Sequence, residues 1–139
     1  MGLQELTDRI ELTELVARQG LWLDERTFAD AGAIFTDDVS VVTQGGQAAG
    51  LADVVRQADR VHTRYDRTQH VTSNVLVDLA GDRATVTANL VASFVNDPAP
   101  EPALVVGERY RFDAVRTPEG WRFSRVQITP LWRSGDLPQ

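Results

Sequence analysis

Two histidines are the residues of this sequence best suited to proton transfer near neutral pH, and His70 is the stronger candidate. It lies in the segment 67–74, directly before the apolar, strand-like run 75–79. An unperturbed histidine titrates near neutrality, so a histidine held on a strand and facing a cavity is suited to act as an acid or a base. The alternative is a structural histidine that is hydrogen-bonded at a sheet edge.

Asp24 is a carboxylate that the helical pattern turns toward the core. Residues 3–24 are predicted to form a helix whose broad apolar half carries Leu6, Ile10, Leu12, Val16, Ala17, Leu21 and Leu23. If the helix extends to Asp24, this residue points in the same direction as Leu6, eighteen positions earlier. A buried carboxylate needs a partner. The alternative is that the helix ends early and Asp24 caps the next segment.

The strand predicted after Gly107 has one face that resembles a pocket wall. Alternation places Glu108, Tyr110 and Phe112 on one face and Arg109, Arg111 and Asp113 on the other. The first set combines aromatic surface with a carboxyl group and a phenol. The second set is typical of a solvated or subunit-contact face. Arg111 and Asp113 together resemble the Arg/Asp pair of an epoxide-opening site, but exposed cross-strand charge is the favoured interpretation.

The composition limits the classes of partner. The 139 residues suit one domain, residues 1–139, with 42% hydrophobic and 24% charged residues. A formal charge of −6 predicts no nucleic-acid partner, because nucleic-acid binding depends on basic surface. No apolar run is long enough to span a bilayer, so we expect a cytoplasmic protein with no membrane partner.

The absence of cysteine excludes disulfides, thiolate metal ligands and cysteine nucleophiles. Two histidines leave little for a histidine-rich metal cluster, and the sequence has no glycine-rich phosphate-binding loop. We therefore expect neither a metal nor another cofactor. The expected partners are a small molecule and a second copy of the chain.

Helical and strand patterns predict an α+β fold. Helices are predicted at residues 3–24, at 27–35 after a capping box that starts at Thr27, and from Leu51 to Tyr65. A β-rich run at 39–43 precedes a turn at Gly45 and Gly46, and further strands are predicted at 74–79, 84–94, 104–116 and 121–132. Three N-terminal helices packed on a strongly curved antiparallel or mixed sheet would enclose a conical cavity.

His62 is a second candidate base. It lies on the apolar stripe of the third predicted helix, together with Val54, Ala58 and Val61. It ranks below His70 because the last turn of a helix favours a histidine through the helix dipole alone. The sequence does not decide whether His62 shares a site with His70.

Several short motifs occur in a characteristic order. They are Leu23-Asp24, residues 33–38, Gly50, and the segments 68–74, 79–82, 107–110, 120–123 and 130–132. With these motifs the chain resembles, over nearly its whole length, the SnoaL-like branch of the nuclear transport factor 2-like superfamily. Within it the chain is most similar to the scytalone dehydratase-like group and its relatives, including bile-acid dehydratases. The resemblance implies an α+β cone, also called a cystatin-like roll.

The resemblance also implies site residues and an assembly. In those enzymes an aspartate ending the first helix lies near a histidine on the strand after the third helix, and these positions fall on Asp24 and His70. Phe94 falls near a second catalytic histidine of scytalone dehydratase, and Glu108 and Tyr110 fall near its pocket serine and asparagine. The expected ligand contacts are Gln19, Trp22, Asn74, Phe94, Glu108, Phe112 and His62. A homodimer through the outer face of the sheet is a further expectation from the family.

The leading functional hypothesis is a cofactor-independent lyase of the dehydratase type, or an isomerase. Its ligand would be a small, apolar molecule bearing a carbonyl group, of polyketide-, aromatic- or steroid-like structure. His70 would be the general base, Asp24 would orient the imidazole, and Tyr110 would polarise the carbonyl. The alternatives are a polyketide cyclase, an epoxide-opening enzyme, and a non-catalytic module for ligand binding or dimerisation.

Overall fold

The structure, a computed structural model, describes residues 1–137, so the last two positions of the predicted domain lie outside the described residues. Its elements are α1 (Leu3–Asp24), a 3-10 helix (Phe28–Ala33), β1 (Phe35–Thr43), β2 (Gly46–Ala49), α2 (Leu51–His62), β3 (Arg67–Ala80), β4 (Arg83–Val95), β5 (Leu104–Thr117) and β6 (Gly120–Gly135). Within the described range, no helix is long and apolar enough to cross a membrane. The cytoplasmic location stays a prediction.

The strands form one mixed sheet in the order β2-β1-β6-β5-β4-β3. Strand β1 runs parallel to β6, and every other neighbouring pair is antiparallel. The sheet is curved but not closed, so β2 and β3 are its two edges. The predicted α+β class, with helices packed on a strongly curved mixed sheet, is confirmed.

The core lies on the concave face of this sheet. Along β4 every second side chain from Ala84 to Phe94 is buried, as expected for a strand with one face on a core. On β5 the same alternation buries Tyr110 and Phe112. The Phe112 ring stacks on Phe123 of β6, with centroids 4.2 Å apart. Helix α1 covers the β3 end of the sheet, which places its last residue beside that strand.

Helix α1 buries a face that overlaps only in part with the predicted apolar half, sharing Leu12, Val16 and Leu23 with it. The buried residues are Asp8, Leu12, Leu15, Val16, Gln19, Gly20, Trp22 and Leu23. Leu6, Ile10 and Leu21 are instead 47%, 54% and 54% exposed. The prediction that Leu6 and Asp24 both point toward the core is therefore wrong for Leu6. Asp24 makes its inward contacts because it ends the helix at the point where β3 passes.

A buried carboxylate joins the N-terminal part of α1 to the sheet. Both oxygens of Asp8 accept hydrogen bonds from Arg116, each 2.8 Å long, and the indole N–H of Trp121 donates to Asp8 at 3.1 Å. The Arg116 guanidinium also lies over the Trp121 ring. These hydrogen bonds hold the pKa of Asp8 well below its ordinary value, against the effect of burial. The carboxylate thus fixes α1 to the β5–β6 hairpin.

The second helix is shorter than predicted. It is a 3-10 helix that ends at Ala33, whereas the sequence predicts a helix through Phe35, and the Thr27 side chain makes no capping bond. Phe35 is instead the first residue of β1, because its segment pairs with β6: the Phe123 N–H donates to the Ile34 carbonyl at 2.8 Å. Pairing between distant segments has overridden local helix propensity here.

Three further boundaries differ from the prediction. Strand β2 was not predicted, since it is short and gains its structure only by pairing with β1. Helix α2 ends at His62 rather than Tyr65, and Arg26 donates to the carbonyl oxygens of both residues. Strand β3 begins at Arg67, so His70 lies within the strand rather than before it.

Candidate active site

A cavity of about 400 Å³ lies between the concave face of the sheet and the two α-helices. Most of its wall is aliphatic or aromatic, with Trp22 and Phe94 among the aromatic residues. The polar wall includes Gln19, His62, His70, Glu108 and Tyr110. A largely apolar cavity with a few convergent polar groups is the usual form of a small-molecule site.

The Asp24 carboxylate and the His70 ring form a hydrogen-bonded pair. His70 Nδ1 lies 2.6 Å from Asp24 Oδ1, and the two side chains are 3% and 16% exposed. The carboxylate can only accept, so Nδ1 carries the proton and the neutral ring leaves Nε2 with its lone pair. His70 lines the cavity, and among residues 1–137 its Nε2 has no protein hydrogen-bond partner. The pair therefore has the geometry of a base held by an acidic residue.

Asp24 is itself held by two further donors. The backbone N–H of His70 donates to Oδ2 at 2.8 Å, and the Thr68 hydroxyl donates to Oδ1 at 2.9 Å. Burial raises the pKa of Asp24, but the hydrogen bonds from His70 and Thr68 and the charge of His70 outweigh it, so the pKa lies below its ordinary value. Asp24 is consequently ionised at neutral pH and ready to stabilise a protonated His70.

Two titratable groups of β5 face the same cavity. Burial is the main cause that raises the pKa of Glu108, and the charge of His70 opposes it. Burial also raises the pKa of Tyr110, while a hydrogen bond from Gln19 opposes this shift and the charges of Glu108 and Asp24 add to it. The phenol therefore stays protonated at neutral pH and is suited to donate a hydrogen bond to a ligand.

His62 shares the cavity with His70, a question that the sequence left open. The two ring centroids are 5.2 Å apart, and the Phe94 ring lies 5.9 Å from His62 and 6.1 Å from His70. Burial, together with the charge of His70, lowers the pKa of His62 to about 4, although a hydrogen bond to Ala58 acts in the opposite direction. At neutral pH His62 is therefore an uncharged ring.

Two of the predicted ligand contacts lie elsewhere. Phe112 is fully buried against Phe123 and does not line the cavity, because the curvature of the sheet places it in the core beyond Tyr110. Asn74 is exposed at an irregularity of β3, where its backbone φ is 55°, and it also lies outside the cavity wall. Arg111 and Asp113 lie on the opposite face of β5, 60% and 42% exposed, so they are unsuited to epoxide opening in this cavity.

Sequence reasoning missed two residues that support the site. Thr68 is two positions before His70 on one strand, so the alternation of side chains gave a usable signal that both meet the same partner. Arg26 has a left-handed backbone, with φ of 57°, and its guanidinium binds the His62 and Tyr65 carbonyl oxygens. No local signal predicts this conformation in an arginine.

The fold and the cavity define an α+β cone with an acid-base pair on its wall. The chain belongs to the SnoaL-like domain family, whose model matches residues 4–127. This assignment is consistent with the nuclear transport factor 2-like superfamily that the sequence motifs predict.

Solved structures share this fold. The Kfla4162 protein of Kribbella flavida is 26% identical, with a TM-score of 0.86 over 94% of this chain and 95% of that chain. A scytalone dehydratase candidate from Novosphingobium aromaticivorans is 18% identical, with a TM-score of 0.86 over 97% and 91%. The hexachlorocyclohexane dehydrochlorinase LinA-type3 of Novosphingobium barchaimii is 16% identical, with a TM-score of 0.83 over 99% of both chains. The chain thus has a fold that occurs among small-molecule lyases.

Proposed function

We propose that the protein is a cofactor-independent lyase or isomerase that removes a proton next to a carbonyl group of a small, apolar ligand. The observation that carries this proposal is the 2.6 Å contact between His70 Nδ1 and Asp24, which leaves His70 Nε2 free on the cavity wall. Two structures of this fold are named as a scytalone dehydratase candidate and a dehydrochlorinase, both of which denote eliminations. At their low sequence identity this likeness concerns the fold alone.

The proposed reaction begins when His70 Nε2 takes the proton from the carbon next to the carbonyl. The electron pair of that C–H bond moves into the carbonyl system, and negative charge develops on the oxygen. The Tyr110 hydroxyl donates a hydrogen bond to this oxygen, an interaction that strengthens as the charge grows. Asp24 stabilises the imidazolium that forms on His70.

The second step decides between the two reaction types. In a dehydration the electron pair returns, the C–O bond to a hydroxyl on the next carbon breaks, and the His70 proton leaves with that hydroxyl as water. In an isomerisation His70 returns the same proton to a different carbon. Glu108 is the second candidate proton donor, because it lines the same cavity and burial raises its pKa above the ordinary value of a glutamate.

Deuterium uptake tests the first step without knowledge of the natural substrate. We expect the protein to catalyse the exchange of the α-protons of 1-tetralone or 2-tetralone for deuterium in D₂O. NMR measures the rate of this exchange. His70→Ala should lower the catalysed exchange by about 10²- to 10⁴-fold. Asn74→Gly is the matched control, since Asn74 lies on the same strand outside the cavity and glycine accepts its left-handed backbone. Equal exchange by wild type and a folded His70→Ala variant would contradict the proposal.

A second proposal concerns assembly, and it rests on an apolar stripe across the outer face of the sheet. Val71, Val91, Gly107 and Trp132 are consecutive partners on β3, β4, β5 and β6. The three side chains of this stripe are 53%, 42% and 50% exposed. The Trp132 indole covers Gly107. A Cβ atom added to Gly107 would lie 2.0 Å from the indole nitrogen of Trp132. A contiguous apolar stripe on a sheet surface is one of the features that mark protein–protein contacts.

We propose that a second copy of the chain covers this stripe. Charges of both signs flank it, with Arg109 and Arg111 beside Asp113, and such a surface can complement itself about a twofold axis. We expect a dimer in sedimentation at micromolar concentration and a monomer for Val91→Arg. Leu6→Arg is the control, because Leu6 is similarly exposed on α1. A wild-type monomer, or a dimer that survives Val91→Arg, would overturn this assembly.

A further inference from the structure

The His62 ring is held in one orientation by contacts on several sides. Its Nδ1 lies 2.8 Å from the Ala58 carbonyl oxygen, one helical turn earlier. The backbone carbonyl oxygen of His62 accepts a hydrogen bond of 3.2 Å from Arg26. The rings of His70 and Phe94 lie beside it. A ring that is held in this way presents its remaining atoms to the cavity in a fixed geometry.

One nitrogen of this ring remains available to a ligand. The Ala58 carbonyl can only accept, so His62 Nδ1 carries the proton, and the neutral ring has its lone pair on Nε2. His62 lines the cavity, and within residues 1–137 no protein group forms a hydrogen bond with Nε2. The bond to Ala58 accounts for the position of His62 at the end of α2, but it gives Nε2 no partner. Nε2 is thus a preformed hydrogen-bond acceptor on the cavity wall.

We propose that His62 Nε2 accepts a hydrogen bond from a hydroxyl group of the ligand and thereby selects hydroxylated apolar molecules. This inference rests on the proposed function in that it concerns the ligand of the same cavity. It changes the role of His62 from a second base to a specificity-determining residue. His62 keeps an uncharged ring under the conditions in which His70 gains a proton, because a second positive charge so close by is unfavourable.

The protonation state of His62 also determines which hydroxyl group of the ligand it binds. An unprotonated Nε2 has no proton to give to a departing hydroxyl, so the hydroxyl that His62 binds stays on the ligand. In the proposed dehydration, the group that leaves takes its proton from His70 instead. The substrate class is therefore an apolar molecule with a carbonyl oxygen for Tyr110 and a separate, retained hydroxyl for His62.

Binding of three naphthalene derivatives tests this selection without turnover. 2-Naphthol can donate a hydrogen bond, 2-methoxynaphthalene can only accept one, and 2-methylnaphthalene can do neither. We expect calorimetry on the wild-type protein to show about tenfold tighter binding of 2-naphthol than of either analogue. His62→Phe should reduce this preference to less than about twofold, because phenylalanine fills the same space without an acceptor.

Two further variants distinguish the contribution of His62 from that of His70. His62→Gln should regain part of the preference, since its amide oxygen can replace Nε2 as an acceptor. His70→Ala should keep the full preference. If His70→Ala removes the preference and His62→Phe retains it, the acceptor is His70 and the inference is wrong. Equal binding of the three probes to the wild-type protein would also overturn it.

The two proposals can fail separately. If no variant changes deuterium exchange but His62→Phe still removes the naphthol preference, the catalytic proposal fails and the ligand class stands. If His70→Ala abolishes exchange but the naphthol preference is absent, the catalytic proposal stands and His62 has no part in selecting ligands.

Discussion

Replacement of Asp24 by asparagine is expected to lower the rate of α-proton exchange by about 10²- to 10⁴-fold. The amide oxygen of asparagine would accept the His70 backbone N–H in place of Oδ2. Its NH₂ group would then face His70 Nδ1 and donate to it, so the ring proton would move to Nε2. The nitrogen that faces the cavity would no longer be a base. Exchange of tetralone protons in D₂O measures this effect directly.

Thr68→Val is the matched control for this prediction. The variant removes one donor to Asp24, at 2.9 Å, but keeps the Asp24–His70 hydrogen bond and the shape of the side chain. We expect exchange to fall by less than about tenfold, because the tautomer of His70 is retained. If Thr68→Val and Asp24→Asn lower the rate equally while both stay folded, the effect lies in local packing rather than in the tautomer.

Acidification from pH 6.5 to about 4 is expected to lower the free energy of unfolding by up to about 3 kcal/mol through His62 alone. The pKa of His62 is about 4 in the folded protein, below its ordinary value of 6.5. Between these values the unfolded chain binds a proton at this residue and the folded protein does not. Stability therefore rises with pH across this window, and the dependence on His62 disappears above it.

The comparison of wild type with His62→Phe isolates this effect. Urea unfolding at several pH values should give a difference in unfolding free energy that changes between pH 4 and 6.5 and is constant above pH 7. Asp8 and Asp24 act at lower pH: both have a lowered pKa, so the stability that they contribute is present above about pH 4 and is lost below it. Parallel curves for the two proteins throughout the window would show that His62 is not buried as a neutral ring.

The helical and strand patterns of the sequence predicted the general fold, whereas the pairing of Asp24 with His70 was predicted from the resemblance to a known family. Strand alternation on β5 correctly grouped Glu108, Tyr110 and Phe112 on one face. It could not tell that curvature would place Phe112 against Phe123 rather than on the cavity wall. A shared face is a property of one strand, whereas a cavity wall depends on how several strands bend together.

Other differences between the sequence predictions and the structure arise where contacts between distant segments determine the local conformation. The second predicted helix forms only as a 3-10 helix that ends at Ala33, because the next segment, from Phe35, pairs with β6. The helical angle of Asp24 suggested the right conclusion for a wrong reason, since Leu6 in the same direction is half-exposed. The environment of Asp24 follows from the path of β3, which no pattern within α1 encodes. Arg26 is a similar case, because its guanidinium binds the carbonyl oxygens of His62 and Tyr65, which are far from it in sequence.

Helix α1 is attached to the sheet by carboxylates in its first turns and at its last residue, Asp8 and Asp24, and these attachments make its length a fixed dimension of the protein. The two residues are sixteen positions apart, which corresponds to roughly 24 Å along a helix. Insertion or deletion of one residue between them would rotate one carboxylate relative to the other by about 100°. We therefore expect a one-residue insertion or deletion between Asp8 and Asp24 to break one of the two attachments, whereas a substitution that keeps the length of the helix leaves both carboxylates in place.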